Sequence, residues 1–450
     1  MSEHTPDAGS TAPLEQHRPL KVAILGAGTV GQEVLRLLGT HSGDFAHRVG
    51  APLEVIGIAV RDRNKDRGPY VDASLYRVDH EALVDEADIV VEVMGGIEPA
   101  RGLLLRALSS GASVVTANKA LLATEGRELY AAADQHGVDI SFEAAVAGAV
   151  PLIRPLRDSL AGDSIQRVLG IVNGTTNFIL DAMTRTGQSF DEALAEAQEL
   201  GYAEADPTAD VQGHDAAAKA SILASLAFHS RVTLEDVFVE GITAITAADV
   251  QAAERLGCVI KLLSIVERVP AAGGGEGVSA RVYPVMLPTS HPLASVSGAY
   301  NAVFVEAEAA GRLMFYGQGA GGAPTASAVL GDLVSVARNK VFGGKGADES
   351  YYASLPIVPI GGVTNAFYLA MRAEDRPGVL AQIAGTLSTH GISIATIHQE
   401  PVDGDGDAAA ARIAIVTHRA DEAHMARAIH QLTLHESVQR IESLVRVEGE

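Results

Sequence analysis

The sequence has little cysteine and little positive charge. Cys258 is the only cysteine among 450 residues, which excludes an intrachain disulfide and a cysteine-ligated metal cluster. Lysine and arginine number 34 against 56 acidic residues, a net charge of −22, which argues against non-specific binding to nucleic acid.

Long hydrophobic runs are also missing. No apolar run approaches the roughly 18 residues of a membrane-spanning helix, so we expect no membrane segment. Residues 1–19 are polar and lack the apolar core of a secretory signal, which predicts a disordered tail. With the single cysteine, these absences favour a cytoplasmic enzyme. A hydrophobic fraction of 47% over this length is enough for two or three domains.

A glycine-rich turn follows the first apolar run. It has Gly26, Gly28 and Gly31 in the spacing of a dinucleotide fingerprint, directly before a helical pattern. Gly26 permits the tight turn, Gly28 lets the backbone approach a pyrophosphate, and Gly31 lets the helix pack on the strand. The helix N-terminus faces the anion. The predicted cofactor-binding residues are Gly26, Ala27, Gly28, Thr29, Val30 and Gly31.

The next strand, residues 54–60, ends where the ribose of a bound dinucleotide is read. An NAD site usually has an acid there, but this chain has Arg61, a cation suited to a 2′-phosphate. Asp62 comes one position later, so NAD remains possible as the cofactor. We predict NADP as the preferred cofactor.

Strands and helices alternate from residue 20 to about 150, which predicts a parallel sheet of the Rossmann type. Ligands bind at the carboxyl ends of such strands. Residues 139–151 are predicted as a further strand. The strand ends at 26–31, 94–96, 116–119 and 143–150 should therefore converge. Gly95 is thereby added to the predicted cofactor residues.

Two charged residues stand in these loops. Lys119 could contact the ribose, a phosphate or the substrate, or it could be a solvated lysine at a helix start. Glu143 precedes a turn containing glycine, where a carboxylate and carbonyl groups could hold a monovalent cation. The alternative is an acid at a helix N-terminus.

The segment 201–219 is the most informative of the chain. It contains Glu204, Asp206, Asp210, Asp215 and Lys219 and then enters an apolar helix. Asp215 and Lys219 are four residues apart and lie on one helix face. An exposed ion pair is the ordinary reading, but larger apolar residues continue that face. The pattern favours a buried or cleft-lining functional pair.

The pattern changes after about residue 151. A strand leads into residues 173–177 (NGTTN), whose N–H groups and hydroxyls suit a carboxylate or a carboxamide, or serve only as a helix cap. Helical patterns follow at 190–200, 213–229 and 248–260, the last containing Cys258. Strand-like segments at 259–268, 279–287 and 301–314 predict a mixed sheet.

The glycine-rich loop at 317–322 opens a helix at about 323–342, which we expect to return to the first domain. Residues 343–363 have the composition of a linker. The last part, 364–450, has the order βαββαβ of a ferredoxin-like domain, with a loop at 404–409.

These motifs resemble a known family. The pattern from Gly201 to Lys219 is similar to the signature of homoserine dehydrogenase, and NGTTNFI at 173–179, ANKA at 117–120 and GAGTVG at 26–31 occur in that family in the same order. The resemblance covers residues 20–340. The C-terminal part resembles an ACT domain, with DRPGVL at 375–380. Because no kinase-like region precedes residue 20, we expect the monofunctional form.

The resemblance implies the reversible reduction of L-aspartate 4-semialdehyde to L-homoserine with NAD(P)H, in threonine, methionine and isoleucine biosynthesis. It implies that Lys219 is the general acid and that Asp215 and Glu204 bind substrate and position Lys219. Thr175 and Gly174 would lie at the nicotinamide and substrate. Lys119 would contact both the cofactor and the substrate. The loop with Gly319 and Gly322 would close over the cofactor.

It also implies a monovalent cation such as sodium, held by Glu143 and by carbonyl groups near Val146, Gly148 and Val150. The ACT domain would bind an amino acid, with threonine as the expected effector, at the helix start formed by Asp375, Gly378 and Val379. A purely assembling ACT domain is the alternative. The family forms dimers or tetramers through its substrate domain.

Two other functions are alternatives. One is an inactive amino-acid sensor with a retained nucleotide-binding domain. The intact pair of Asp215 and Lys219 argues against it, because a protein without catalysis does not need that pair. An aspartate semialdehyde dehydrogenase needs a nucleophilic cysteine, and Cys258 within an apolar helix does not fit. For the favoured enzyme, we expect that removing residues 364–450 spares catalysis and abolishes the threonine response.

Overall fold

The computed structural model describes residues 17–348, 351–402 and 410–449. Most of the predicted disordered tail and the predicted loop at 404–409 lie outside these residues. The described part contains no helix long and apolar enough to cross a membrane. The chain forms two compact units: residues up to Ala145 with Gly321–Glu349, and Val146–Ala320 with the residues from Ser350 onward.

Helices and strands are numbered in chain order. The helices are α1 (Thr29–Thr40), α2 (Ser42–Val49), α3 (His80–Glu86), α4 (Ala100–Ser109), α5 (Lys119–His136), α6 (Gly174–Thr186), α7 (Phe190–Glu199), α8 (Thr208–Val211), α9 (His214–Phe228), α10 (Ala247–Arg255), α11 (Gly322–Phe342), α12 (Val379–Thr389) and α13 (Glu422–Thr433). The strands of the first unit are β1 (Leu20–Leu25), β2 (Leu53–Ala59), β3 (Tyr76–Arg77), β4 (Ile89–Glu92), β5 (Ser113–Thr116) and β6 (Ile140–Ser141). Those of the second are β7 (Ile165–Ile171), β8 (Val237–Val239), β9 (Cys258–Pro270), β10 (Glu276–Pro288), β11 (Tyr300–Ala307), β12 (Gly311–Gln318), β13 (Thr364–Glu374), β14 (Ile394–Val402), β15 (Ala410–Thr417), β16 (Ala420–Asp421) and β17 (Val438–Val447).

The first unit is built on a parallel sheet. Its described residues form six strands in the order β3-β2-β1-β4-β5-β6, the order of a dinucleotide-binding fold. Helix α11 belongs to this unit and packs its apolar face, including Val329 and Leu333, in one core with Val22 and Ile24 of β1. The predicted Rossmann architecture is confirmed.

The last strand of this sheet is shorter than predicted. We expected a strand at 139–151, but β6 spans two residues and a 3-10 turn follows at Glu143–Ala145. Ala147 and Gly148 have positive φ angles of 57° and 55°, which an extended strand cannot contain. The alanine-rich composition also gives the segment little β-propensity.

The second unit contains a mixed sheet that runs through its whole length. The described strands number eleven; nine follow the order β12-β11-β7-β9-β10-β17-β13-β15-β14, with β16 beside β13 and β8 beside β10. The last four in this order, with α12 and α13, form the predicted βαββαβ domain, which is therefore confirmed. Strand β17 joins it to the remainder, because β17 pairs antiparallel with β13 and parallel with β10.

Two sequence predictions in this unit were wrong. The helix expected at 248–260 ends at Arg255, and Cys258 begins strand β9, because Gly257 takes a left-handed conformation at φ 69° and β-branched residues follow. The strand expected at 301–314 is a hairpin of β11 and β12, which turns before Gly311 at φ 72°.

The segment predicted as a linker is held against β10 in its second half. Val278 donates its N–H to the Pro356 carbonyl at 2.9 Å, and Val358 donates to the Val278 carbonyl at 2.8 Å. Earlier in the same segment, the ring of Tyr352 stacks on His229 at the end of α9.

Candidate active site

The glycine turn after β1 has the geometry that its spacing predicts. Gly26 has φ 105°, and a Cβ there would lie 2.9 Å from the Met94 backbone. A Cβ at Gly31 would lie 2.2 Å from the Gly26 carbonyl oxygen. Gly28 faces open space and precedes α1, whose N-terminus has no side-chain cap. The first-turn N–H groups, at Thr29, Val30 and Gly31, therefore suit an anion.

A cavity of about 530 Å³ lies beside this turn, within the first unit. Two of the four loops expected to converge line it, those after β1 and β4, together with the end of β2; the residues are Gly26, Ala27, Gly28, Ala59, Val60, Arg61, Asp62, Val93, Met94 and Gly95. Lys65, Arg67, His80, Glu98 and Pro99 complete it. Its volume lies in the range of cofactor sites, and the glycine turn in its lining suits the pyrophosphate of a dinucleotide.

The end of β2 presents more positive charge to this cavity than the sequence analysis assigned. Arg61, Lys65 and Arg67 all line it. Asp62, the residue that left NAD open, accepts a hydrogen bond from the Asn64 N–H at 2.8 Å. Its carboxylate thus closes a local turn. Arg67 was missed because it stands eight residues beyond β2, on a loop whose return to the cavity leaves no sequence periodicity.

A buried carboxylate organises the next two loops. Glu92, at the end of β4, accepts hydrogen bonds from the N–H groups of Met94 and Gly95 at 2.8 and 3.0 Å, and from Thr116 Oγ1 at 2.6 Å. Asn118 caps α5 and donates from Nδ2 to the Gly96 carbonyl at 2.6 Å. The second and third predicted loops are thus tied together.

Lys119 is the first residue of α5 and is half-buried. Glu143, which lies near the end of the first unit, is 1% exposed, and its N–H donates to Asp332 Oδ2 on α11 at 2.7 Å. In the described residues no cluster of three or more histidine, cysteine, aspartate or glutamate side chains could hold a metal ion.

In the second unit, the loop at 146–150 packs on the glycine loop before α11. Val146 and Val150 are buried. A Cβ at Gly148 would lie 2.4 Å from the Gly319 carbonyl oxygen, and a Cβ at Gly319 would lie 2.1 Å from Asn301 Cγ. Both positions therefore exclude a side chain. Gly322, in the first unit, packs against Thr29 of α1.

Asp215 and Lys219 lie on α9, one turn apart, as predicted. Lys219 Nζ lies 2.7 Å from Asp215 Oδ2 and 2.6 Å from the Val172 carbonyl oxygen at the end of β7. Both side chains are 10% exposed. The expected surface alternative does not hold, because the pair is largely withdrawn from water. An ammonium group has three N–H donors, so two acceptors leave one for a substrate.

Asn173 connects this pair to the start of α6. Its Nδ2 donates to Asp215 Oδ2 at 2.9 Å and to Asp210 Oδ1 at 2.7 Å. Its Oδ1 accepts from the Thr176 N–H at 2.9 Å, so it also caps α6. The cap predicted as one reading of the NGTTN segment is thus present. The other reading, a site for a carboxylate or a carboxamide, stays a prediction. Asn173 and Asp210 were not among the predicted site residues, because the contacts of Asn173 join positions 37 and 42 residues apart.

The other predicted substrate residues are placed as follows. Gly174 and Thr175 form the first turn of α6, and Thr175 Oγ1 donates to the Tyr202 carbonyl at 2.6 Å. Glu204 is exposed, on the loop between α7 and α8. This arrangement offers a proton donor, an acid that orients it, and a helix N-terminus able to receive a carboxylate.

The predicted effector residues lie at the start of α12. Gly378 is its N-cap, at φ 93°, without a side-chain cap, and Val379 is buried in the domain core. Asp375 is exposed and accepts a hydrogen bond from Gln399 Nε2 of β14 at 3.0 Å.

Three family models match the chain. The model described as homoserine dehydrogenase matches residues 151–334. The NAD-binding domain of homoserine dehydrogenase matches residues 26–143, and the ACT domain matches residues 367–433.

Known proteins with the same description are similar over almost their whole length. The homoserine dehydrogenase of Mycobacterium tuberculosis is 57% identical over 435 residues, 96% of this chain and 98% of that protein. That of Corynebacterium glutamicum is 57% identical over 429 residues, 95% of each.

Solved structures agree. A homoserine dehydrogenase from Thiobacillus denitrificans superposes with a TM-score of 0.89 at 40% identity, covering 96% of this chain and 99% of that one. A hyperthermophilic archaeal homoserine dehydrogenase in complex with NADPH gives a TM-score of 0.59 at 30% identity, covering 71% of this chain and 98% of that one.

Proposed function

This chain belongs to the homoserine dehydrogenase family, and we propose that Lys219 is the general acid in the reduction of L-aspartate 4-semialdehyde to L-homoserine. The observation that carries the proposal is the contact between Lys219 and Asp215. The two residues are four positions apart on α9, and both side chains are largely buried. A buried lysine with a carboxylate partner and one unused N–H is suited to proton transfer at a carbonyl oxygen.

The reaction adds a hydride to the aldehyde carbon and a proton to its oxygen, giving a primary alcohol. A bound NADPH supplies the hydride. Lys219 donates the proton from Nζ and takes it back in the reverse reaction. Asp215 and the Val172 carbonyl fix the direction of the ammonium group, so that its remaining N–H is presented in one orientation.

The amino-acid head group of the substrate needs a carboxylate site and an ammonium site. The first turn of α6, with Gly174 and Thr175, suits the carboxylate because helix N–H groups point outward there. Asp210 and Asp215 suit the substrate ammonium. Glu204 and Lys119 remain predicted substrate contacts, and their test is the KM of each alanine variant.

We infer NADP as the preferred cofactor. The residues present fit it: an open Gly28, an uncapped start of α1, and three cations in the lining of the cavity. Arg61 is the candidate reader of the 2′-phosphate, with Lys65 and Arg67 as further charges. The engagement of Asp62 in its own turn weakens the case for an acid that binds the ribose of NAD.

A monovalent cation near Glu143, Val146, Gly148 and Val150 stays a prediction. One buried carboxylate with carbonyl oxygens is a donor set that hard cations accept, and Glu143 is buried. Its test is the dependence of activity on sodium or potassium in the wild type and in Glu143→Gln.

Threonine is the proposed effector, with its carboxylate at the uncapped start of α12 near Asp375, Gly378 and Val379. Homo-oligomer formation, as dimer or tetramer, is likewise proposed from the family and is tested by light scattering of the purified protein.

The experiment that tests the function is NADPH consumption by purified protein with aspartate 4-semialdehyde, with and without threonine. Turnover that falls with threonine supports both the enzyme and the effector. Turnover indifferent to threonine keeps the enzyme and removes the effector proposal. Cofactor binding without turnover would favour the inactive sensor.

A further inference from the structure

A second buried lysine lies in the same unit, on the strand β9. Lys261 is 3% exposed, and its Nζ donates to Asn177 Oδ1 at 3.0 Å and to the Val296 carbonyl at 2.6 Å. Burial lowers its pKa to about 8, although the charge of Asp181 opposes this. A buried amine is costly, and an apolar side chain of the same length would fill the space at less cost. We therefore look for the role of Lys261 in its hydrogen bonds and not in its packing.

Its partner Asn177 belongs to the NGTTN segment, yet no function was assigned to it. The Asn177 side chain donates from Nδ2 to three carbonyl groups, those of Val296, Gly298 and Tyr300, at 3.3, 2.8 and 3.3 Å. Asp181, one turn later on α6, accepts from the Gly298 N–H at 3.0 Å. The loop at 296–300 is thus fastened to α6 at several points.

This loop in turn supports the start of α6. The Ala299 carbonyl oxygen would lie 2.6 Å from a Cβ at Gly174, so the loop and the first residue of the helix are in close contact. The residue before Gly174 is Asn173, whose amide donates to Asp215 and Asp210. A displacement of the loop would therefore be passed to the group that holds Asp215 beside Lys219.

We propose that Lys261 and Asn177 are positioning residues of the reaction, because they fix the loop 296–300 and thereby the first turn of α6 and Asn173. The inference rests on the proposed roles of Lys219 and Asp215. Neither Lys261 nor Asn177 acts on the substrate itself. Both act through Asn173 on the geometry of the acid–lysine pair, where a shift of about 1 Å costs up to roughly a hundredfold in rate.

The test compares Lys261→Met, which keeps the stem and removes the donors, with Lys261→Gln, which restores an N–H donor without charge. Lys340→Met is the matched control, since Lys340 of α11 is also partly buried, has its pKa lowered by burial, and donates to the Gly111 carbonyl at 2.9 Å. For each variant, kcat, the KM of both substrates and the thermal midpoint are measured.

We expect Lys261→Met to lower kcat by about tenfold or more, with the KM of NADPH changed by less than about twofold. Lys261→Gln should recover most of kcat, and Lys340→Met should leave kcat near the wild-type value. Asn177→Ser, which shortens the donor, should also lower kcat, and it replaces Lys261→Met if that variant does not fold.

Three results would overturn the proposal. One is a folded Lys261→Met or Asn177→Ser with wild-type kcat. Another is equal loss of kcat in Lys261→Met and Lys340→Met. The third is a Lys261→Gln as inactive as Lys261→Met at the same thermal midpoint. Lys219→Ala is assayed in parallel: if it stays active, the proposed function fails, whereas an inactive Lys219→Ala beside a fully active Lys261→Met removes this inference alone.

Discussion

Arg167 of β7 and Glu448, just after β17, form a bidentate ion pair with N–O distances of 2.7 and 2.8 Å. The two residues are 281 positions apart. Strand β7 leads directly to Val172, whose carbonyl accepts a hydrogen bond from Lys219. The end of the ACT domain is therefore bound to the same strand that leads to the acceptor of Lys219.

This ion pair belongs to a larger buried network. Glu267 of β9 pairs with both Arg167 and Arg281. Burial alone would raise the pKa of Glu267, but the two neighbouring guanidinium groups lower it below its ordinary value. Arg446 of β17 pairs with Glu422 of the ACT domain and with Glu240, which follows β8. Removal of one charged member leaves its partners buried and unbalanced.

Glu448→Gln should lower the free energy of unfolding by about 3 kcal/mol, because it leaves the largely buried Arg167 with one of its two carboxylate partners. Urea unfolding measures the change. The control is Glu276→Gln, whose partner is Arg268 and whose side chain is 58% exposed; there the loss should stay below about 1 kcal/mol. Equal losses in both variants would contradict the importance of the network.

Removal of residues 364–450 should destabilise the remaining chain, contrary to what the sequence analysis expected. The truncation deletes Arg446 and Glu448, and it uncovers the edge of β10 that β17 occupies. Uncovered strand edges promote aggregation. We expect low soluble yield and a lower thermal midpoint. A soluble truncated chain with wild-type kcat and no threonine response would support the original expectation instead.

Lys219→Ala should reduce kcat by about 10²- to 10⁴-fold, the range for loss of a general acid. NADPH binding, followed by nucleotide fluorescence, should be retained, since Lys219 lies outside the cavity around Gly28. Loss of cofactor binding together with activity would contradict the role in proton transfer.

Arg61→Ala should weaken NADP binding by roughly tenfold or more while leaving NAD binding nearly unchanged, because a charge-assisted hydrogen bond to the 2′-phosphate is lost. Arg63→Ala is the control, since Arg63 is also exposed but is not among the residues that line the cavity. An equal effect on both cofactors would exclude Arg61 as the phosphate reader.

Stability should rise with pH through the alkaline range because of Lys261. Burial lowers its pKa from 10.5 to about 8 in the folded chain. Below pH 8 the amine is protonated in both states, and the cost of its buried charge is present in full. Above pH 8 the unfolded chain binds the extra proton, so stability increases by up to about 1.4 kcal/mol per pH unit. Lys261→Met should lack this increase, as measured by urea unfolding between pH 7.5 and 9.5. The same slope in both proteins would assign the effect to other groups.

The sequence predicted what depends on local periodicity. Alternating strands and helices gave the parallel sheet and the ACT domain, and the spacing of Asp215 and Lys219 gave their shared face. It failed where one residue changes the backbone: Gly257 ends a helix before Cys258, and Ala147 and Gly148 end a strand.

It also could not predict partners distant in the chain. Asn173 with Asp210, Lys261 with Asn177 and Arg167 with Glu448 are pairs that only the tertiary fold brings together. Their separations are 37, 84 and 281 residues. These contacts matter for the structure because they are at least partly buried. The burial of a polar residue leaves no periodic signal in the sequence.

Strand β17 has a consequence for the synthesis of the protein. Domains usually fold in the order in which they leave the ribosome, but the sheet that carries Lys219's supporting strand is completed by residues Val438–Val447. Val285 and Met286 of β10 therefore stay unpaired on this edge until Val438–Val447 have been translated. During that interval this part of β10 can pair with another chain. Translation of β17 therefore decides whether this part of β10 is covered by its own chain or pairs with another.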